Sequence, residues 1–198
     1  MTIVLGLVAG FLLWGLAEYV LHRFAMHLLK GRGMMSREHL EHHVHASWTF
    51  STTHLLSWAG MLLVGFVGWF PLGWAAVGSA FGLSVAVGWT AGYFFYEYQH
   101  AASHLRAPRG RYGTWLRKHH FHHHFGHPMA NHGVTSPVWD VVFGTLERPE
   151  RVRVPRRLAL TWLVDARGEV RPEHRAHYEL VGPGTSDERT AALDRARA

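Results

Sequence analysis

The chain has 198 residues with 18 histidines and no cysteine, which excludes disulfide frameworks, thiolate metal sites and cysteine nucleophiles. Hydrophobic residues make up 48% and charged residues only 17%, against a usual charged share of about 25%, so the composition favours a membrane protein. The net charge of +6 includes two short basic stretches, 30–37 and 106–118, that follow apolar segments. Such flanks are typical of membrane-interface anchors, and no nucleic-acid partner is expected.

The first apolar segment runs from the N-terminus to about Leu21, with Glu18 as its first charged residue. At about 1.5 Å per residue this length crosses a hydrocarbon core of roughly 30 Å. The segment lacks the basic start of a signal peptide, and a histidine motif begins at His22, where cleavage would fall. A retained membrane helix is therefore predicted.

The second apolar region, residues 55–96, contains no Asp, Glu, Lys or Arg and is interrupted near its middle by Pro71 and Gly73. It is too long for one membrane crossing and suits a helical hairpin that turns at the Pro-Gly pair. We therefore predict an all-α integral membrane bundle of three to four membrane helices with a histidine-rich helical cap. The basic stretches place the histidine clusters and the C-terminus on the cytoplasmic side.

Ten histidines form four clusters, each of which follows or ends a predicted helix. They are His22 and His27; His39, His42 and His43; His100 and His104; and His120, His123 and His124. Offsets of three and four residues place side chains on one helix face, whereas the offset of five between the first two does not. A π-bulge, a helix break or a metal placed between the two directions is expected there.

Metal ions are the simplest reason to gather ten imidazoles on one side of a bilayer. Buried polar rings without partners would each cost about 1–3 kcal/mol, and neutral imidazole is a common ligand of Fe, Zn and Cu. Ten ligands predict two ions with about five each. Six further histidines are expected near the site or at the surface: His45, His54, His119, His122, His127 and His132. In the last cluster the alternative ligand register His119, His122 and His123 has the same His-x-x-His-His spacing and stays open.

Other metal and nucleotide sites fit the sequence poorly. A carboxylate-bridged di-iron bundle needs two Glu-x-x-His pairs, and the histidine-bearing region has one, Glu97 to His100. No His-Glu-x-x-His, Gly-x-Gly-x-x-Gly or Walker motif occurs. A non-catalytic membrane protein that binds metal or haem remains an alternative from another functional class.

Beyond the last cluster, Ser136 and Pro137 predict the start of a short helix that runs to about Phe143. Residues 147–198 are predicted to be a polar, partly disordered tail, with disorder from about Gly182 onward. Within that tail, residues 158–163 are expected on the membrane face. His174 and His177 are expected to be ordinary solvated side chains.

The ordered motifs resemble those of the membrane fatty acid hydroxylase and sterol desaturase superfamily, over roughly residues 15–146. The matching stretches are His22-Arg-Phe-Ala-Met-His27, His39-Leu-Glu-His42-His43, His100-Ala-Ala-Ser-His104, His120-Phe-His-His123-His124 and Gly133-Val-Thr-Ser-Pro-Val-Trp-Asp140. The distance from His124 to Gly133 is similar to the family's, which favours His120, His123 and His124 as the ligands. The opening motif and the last stretch look most like the fatty acid 2-hydroxylase branch.

This resemblance implies a hydroxylase domain over residues 1–146 that uses O2 and two non-haem metal ions to hydroxylate an unactivated C–H bond. The ions would be iron in function, although zinc can replace it in purified protein. The substrate would be a lipid from the bilayer, most simply a fatty acyl chain, and the electrons would come from a separate donor protein. Carotenoid or sterol-type hydroxylation is the alternative within the superfamily.

Further side chains are candidates for supporting roles around the metals and the lipid. Those expected to orient the imidazoles from outside are Glu18, Glu97, Asp140 and Asn131. Those expected to hold a lipid head group at the interface are Tyr112, Trp115 and Arg106.

Overall fold

The computed structural model describes residues 1–183 as a mainly helical chain. Its helices are α1 (Thr2–Val20) with a π-helical continuation (Leu21–Leu28), α2 (Met34–His45), α3 (Thr52–Leu63) with a π-helical continuation (Val64–Trp69), α4 (Phe70–Ala76), α5 (Ser79–Leu105), α6 (Gly110–Phe125) and α7 (Val138–Val142). Two short strands follow, β1 (Val152–Pro155) and β2 (Tyr178–Val181), with 3₁₀ turns at Arg156–Leu158 and Pro172–His174. The predicted helical class is thus correct for the histidine-bearing part, whereas the small sheet was missed.

Two helices among the described residues are long and apolar enough to cross a membrane, Thr2–Leu28 and Thr52–Ala76. Large apolar side chains along the second of these are exposed, Leu55, Leu63 and Val67 among them. Helix α5 is a third long helix, 27 residues, but much of it is buried and its buried faces carry Gly, Ala and Ser. The sequence-based number of three to four membrane helices, and the cytoplasmic position of the cap, therefore stay predictions.

Helices α1 and α5 pack so closely that their backbones are nearly in contact. A Cβ at Gly10 would clash with the carbonyl oxygen of Val85, and one at Gly88 would clash with that of Leu7. Below this contact the Trp14 ring packs edge-on against Trp89, with ring centroids 5.3 Å apart. The two helices that carry the first and third histidine clusters are thus held in a fixed relation.

The predicted turn at Pro71 and Gly73 is wrong, because the helix continues through both residues to Ala76. Pro71 lies directly after the π-helical segment Val64–Trp69, where the hydrogen-bond register of the helix changes, and its missing N–H removes one bond without ending the helix. Gly73 instead lets α4 approach Gly82 of α5. The reversal occurs at Gly78, whose φ of +132° is accessible to glycine.

The segment predicted to be a polar tail is folded over Val152–Val181. Strands β1 and β2 pair in parallel, with Val152 opposite Tyr178. Leu163 is fully buried, and Trp162 donates from Nε1 to the carbonyl of Ser103 at 3.0 Å, so residues 158–163 pack on α5 and α6 rather than on a membrane. His174 is also buried, contrary to the solvated role expected for it. The disorder predicted from Gly182 falls almost entirely outside the described residues.

Replacing Trp162 by alanine is expected to lower the free energy of unfolding by about 3–5 kcal/mol, because it empties the core between the C-terminal segment and Phe121. The exposed Trp74 is the matched control, and its replacement by alanine should change stability by about 0.5 kcal/mol or less. Chemical unfolding in detergent measures both. Equal effects of the two substitutions would contradict the packing described here.

Candidate metal centre

The end of the first long helix supplies two histidines from a π-helical segment. His22 and His27 are both buried, and their ring centroids lie 5.2 Å apart. In a π-helix each N–H bonds to the carbonyl five residues earlier, so residues five apart come close to the same face. Of the alternatives that the sequence left open for this pair, the structure shows π-helical geometry.

The structure brings all ten candidate ligands together in two groups of five, in each of which one ring nitrogen per residue lies within 4.8 Å of the others. The first group is His22, His27, His39, His43 and His123. The second group is His42, His100, His104, His120 and His124. Helices α2 and α6 contribute to both, so adjacent histidines on each helix serve different groups.

The spacing of the ring nitrogens suits a metal ion in each group. In the first group the Nε2 atoms of His27 and His123 are 2.9 Å apart, and those of His22 and His39 are 3.1 Å apart. In the second group the Nε2 atoms of His104 and His120 are 3.0 Å apart. Two nitrogens at right angles about one ion, each at about 2.1 Å, would be about 3.0 Å apart. Each group could therefore hold a metal ion.

The other ring nitrogen of four imidazoles contacts a backbone carbonyl. Nδ1 of His22 lies 2.5 Å from the His132 oxygen, and Nδ1 of His123 lies 2.7 Å from the Ala130 oxygen. A carbonyl only accepts, so Nδ1 of a neutral ring must carry the proton and Nε2 must carry the lone pair. Lone pairs that converge at about 3 Å cannot hydrogen-bond one another, but they can share a cation.

Burial keeps the imidazoles of both groups neutral. Desolvation lowers the pKa of His42 to about 4 and the pKa of His43 to about 3. The pKa values of His120 and His124 also lie well below their usual range, because both rings are buried among other imidazoles. Neutral imidazole is the form that binds metal, so the site needs no proton release near pH 7.

The histidines left open by the sequence have partners outside the two groups. His119 is buried with its Nε2 atom 3.3 Å from a carboxylate oxygen of Asp140. His122 and His127 both contact the Glu147 carboxylate at 2.6 Å. The register with His120, His123 and His124 is therefore the one that the structure brings into the groups.

The two other open histidines lie near the chain segment between α2 and α3. His54 caps the start of α3, where its Nδ1 atom lies 3.1 Å from the backbone nitrogen of Ser51. His45 is exposed at the end of α2.

The four side chains expected to orient imidazoles lie elsewhere or act less directly. The Glu18 carboxylate accepts from the backbone N–H and hydroxyl of Thr135, at 2.9 and 2.7 Å. Asn131 bonds the backbone of Glu147, and Asp140 accepts from the N–H groups of His132 and Gly133. Among the described residues none of these side chains, Glu97 included, hydrogen-bonds an imidazole of either group. Backbone carbonyls bond the Nδ1 atoms of four of the imidazoles, so an orienting role of these four side chains would be indirect and stays a prediction.

The expected head-group residues lie on the outer side of α6 and the turn before it. The Tyr112 hydroxyl donates to the carbonyl of Thr135 at 3.0 Å, and Trp115 stacks on His119 with centroids 5.0 Å apart. The exposed Arg106 turns its carbonyl inward, where it accepts from the guanidinium of Arg117 at 2.8 Å. Their role in holding a lipid remains a prediction.

The buried His132 lies beside the first group, which is one of the two places that the sequence left open for it. Its ring lies against the first group, 5.3 Å from the His22 ring and 5.4 Å from the His123 ring between centroids. The carbonyls of His132, Ala46, Ser47 and Ala130 each accept a hydrogen bond from one imidazole. Because every residue has a carbonyl, such contacts cannot be recognised from the pattern of side chains. The spacing of His132 after the last cluster was the only available signal.

A cavity of about 330 Å³ adjoins the groups, with His39, His42 and His100 in its wall. A smaller cavity of about 60 Å³ lies among α1, α3 and α5 and is lined mainly by apolar and aromatic side chains. Ser57 and Tyr96 line both. The imidazoles thus border the larger cavity, and the larger cavity in turn borders the smaller, mainly apolar one among the long helices.

Several curated proteins are similar to this chain. It is 30% identical over 148 residues to the fatty acid 2-hydroxylase of Macaca fascicularis, which covers 71% of this chain and 39% of the relative. It is 32% identical over 148 residues to the dihydroceramide fatty acyl 2-hydroxylase FAH2 of Arabidopsis thaliana, and this match covers 72% of this chain and 61% of that relative. The chain therefore spans about two fifths to three fifths of the length of these relatives.

A solved structure and a family description agree with these similarities. The structure of full-length scs7p, in which only the hydroxylase domain is visible, superposes with a TM-score of 0.55 at 24% identity, over 75% of this chain and 57% of that one, and so supports the fold. The model of the fatty acid hydroxylase family matches residues 7–145, which include all ten histidines of the two groups. The chain belongs to the fatty acid hydroxylase family.

Proposed function

We propose that the chain is a membrane lipid hydroxylase that inserts one oxygen atom of O2 into an unactivated C–H bond of a fatty acyl chain. The observation that carries this proposal is the pair of five-imidazole groups beside a cavity at the ends of long apolar helices. Two redox-active metal ions, iron in function, would supply the O2 activation that the reaction requires. The names of the relatives favour carbon 2 of the acyl chain as the site of hydroxylation.

The ten histidines are the proposed metal ligands, five to each ion. The protein's own contribution is to keep these rings neutral, to aim their Nε2 atoms inward and to exclude water by burial. We propose that electrons come from a separate donor protein. The basic stretches 30–37 and 106–118 support a cytoplasmic position for the histidine-bearing ends.

The cavities suggest how an acyl chain reaches the imidazoles. The smaller one is lined by Trp14, Leu21 and Met61, which suit hydrocarbon. The larger one has His39 and His100 in its wall. We propose that the lipid tail occupies the apolar space while the reacting carbon lies in the larger cavity.

A bulky side chain at Ser57 is expected to block this path, because Ser57 lines both cavities. Ser57→Trp should lower kcat/KM for acyl lipids by about tenfold or more while the metal content stays at the wild-type level. The matched control is Leu56→Trp, since Leu56 is exposed on the same helix. Unchanged kcat/KM in Ser57→Trp would contradict the proposed path.

The proposed activity itself is tested by expressing the chain with a reductase system and comparing lipids by mass spectrometry with those of a His43→Ala strain. The expected result is a fatty acyl lipid that gains one oxygen only with the unaltered chain. A gain confined to carotenoids or sterols would support the alternative substrate within the superfamily. Bound metal without an oxygen gain in any lipid class, or a haem absorption band, would favour a non-catalytic binding protein.

A further inference from the structure

Each histidine group takes two backbone carbonyls from one short non-helical segment. The segment 130–132 supplies the carbonyls of Ala130 and His132 to the first group, as described above. The segment 46–47 supplies the second group: the Ala46 carbonyl lies 3.0 Å from Nδ1 of His104, and the Ser47 carbonyl lies 2.9 Å from Nδ1 of His42. We call these segments the first and second carbonyl brackets.

Both brackets contain a non-glycine residue in the left-handed conformation. Asn131 has a φ of +57° and lies between the two carbonyls of the first bracket, and Ala46 has a φ of +51° and provides one carbonyl of the second. This conformation costs a non-glycine residue about 1–2 kcal/mol and persists only where surrounding contacts impose it. Alanine gains no side-chain hydrogen bond in return, so its conformation is imposed by its place in the fold.

The first bracket is held by two fully buried side chains. The Asp140 carboxylate accepts from the N–H groups of His132 at 2.8 Å and of Gly133 at 2.9 Å. The Asn131 amide accepts from the N–H of Glu147 at 2.8 Å and donates to its carbonyl at 3.1 Å. These contacts fix the peptides whose carbonyls face His22 and His123.

The second bracket is held by the end of helix α2 rather than by polar side chains. The N–H of Ala46 donates to the carbonyl of His42 at 2.7 Å, which closes the last turn of the helix. The Ala46 side chain is buried, and His42 belongs to the same group that the bracket serves. A residue that resists the left-handed conformation would therefore shift both carbonyls.

We propose that the two brackets are independent positioning devices, one for each metal ion, with Asn131 and Asp140 serving the first group and Ala46 serving the second. This inference rests on the proposed metal binding by the ten histidines. Each bracket fixes the proton of two rings on Nδ1 and so presents two Nε2 lone pairs to one ion. A defect in one bracket should consequently weaken one ion and spare the other.

The experiment measures metal content per chain and the rate of metal release to a chelator, with the full chain loaded with zinc. Asp140→Asn replaces one of the two accepting carboxylate oxygens with an NH2 group, which cannot accept from an N–H, so one of the two ions should be released about 10–100-fold faster. Asp165→Asn is the matched control, because the half-buried Asp165 also accepts two backbone N–H groups, from Arg167 and Glu169, in the C-terminal segment. It should release both ions at the wild-type rate.

The second arm uses Ala46→Val and Ala46→Gly. Valine resists the left-handed conformation and should speed the release of one ion, whereas glycine adopts it freely and should keep both. In Ala46→Val combined with Asp140→Asn, both ions should be released faster, because each substitution affects a different ion. This arm stands even where Asp140→Asn fails to fold.

The outcomes separate this inference from the proposed function. Wild-type protein that binds no metal would overturn both. Two ions in the wild-type protein would support the proposed metal binding. The inference about the brackets would then be overturned if Asp140→Asn and Ala46→Val released both ions at wild-type rates. It would also be overturned if each single variant lost both ions equally.

Discussion

Replacing His123 by alanine is expected to abolish lipid hydroxylation and to remove one of two metal ions per chain. The ring is fully buried, and its Nε2 atom lies 2.9 Å from that of His27 and 3.1 Å from that of His43. Its loss leaves four imidazoles and a void at the centre of the first group. Because residues that only orient a ligand change activity by about 10–100-fold, loss of a ligand should exceed about 100-fold.

His177→Ala provides the control for the effect of removing an imidazole as such. His177 lies in the C-terminal segment, outside both groups, and is half-exposed. Turnover and metal content should match the unaltered protein. Metal analysis and lipid turnover measured on the same preparations check both variants. Full turnover with two ions in His123→Ala would contradict the assignment of His123 as a ligand.

The metal-stripped protein is expected to lose stability as the pH falls from about 6.5 towards 4. Burial holds the pKa of His42 at about 4 and that of His43 at about 3, against an ordinary value near 6.5. Above pH 6.5 these rings are neutral in both folded and unfolded chains. Below it the unfolded chain binds protons that the folded chain excludes, so stability falls with pH.

The loaded protein should resist acid to a lower pH than the stripped protein, because bound metal competes with protons for the same nitrogen atoms. Circular dichroism and metal content, recorded together against pH, measure unfolding and release. A stability of the stripped protein that is independent of pH between 6.5 and 4 would contradict the burial of neutral imidazoles.

The histidine positions were predictable because helix periodicity converts spacing into direction. Offsets of three and four on α2, α5 and α6 place side chains on one face. The offset of five between His22 and His27 left several geometries open, and the structure shows a π-helical segment there. The division into two groups of five was expected from the number of ligands, but the members of each group were not predictable. Adjacent His42 and His43 enter different groups, and only the packing of helices decides which residue joins which group.

The supporting contacts were less predictable because most come from the backbone. Carbonyls of Ala46 and His132 occupy the places where carboxylates were expected. Every residue has a carbonyl, so residue types cannot show which carbonyl will contact an imidazole. The folded C-terminal segment was missed for a different reason. Its charged residues alternate with a few buried ones such as Val152 and Val154, and composition averaged over the segment conceals that pattern.

We propose above that this chain, with a metal ion in each histidine group, transfers oxygen from O2 to a fatty acyl lipid. The most direct measurement supplies purified, iron-loaded protein in bilayers with an acyl lipid, a reductant system and heavy-isotope O2. We expect one labelled oxygen atom per hydroxylated lipid, and none after the iron is removed. Absence of label in the lipid, with two ions bound and electrons supplied, would contradict it.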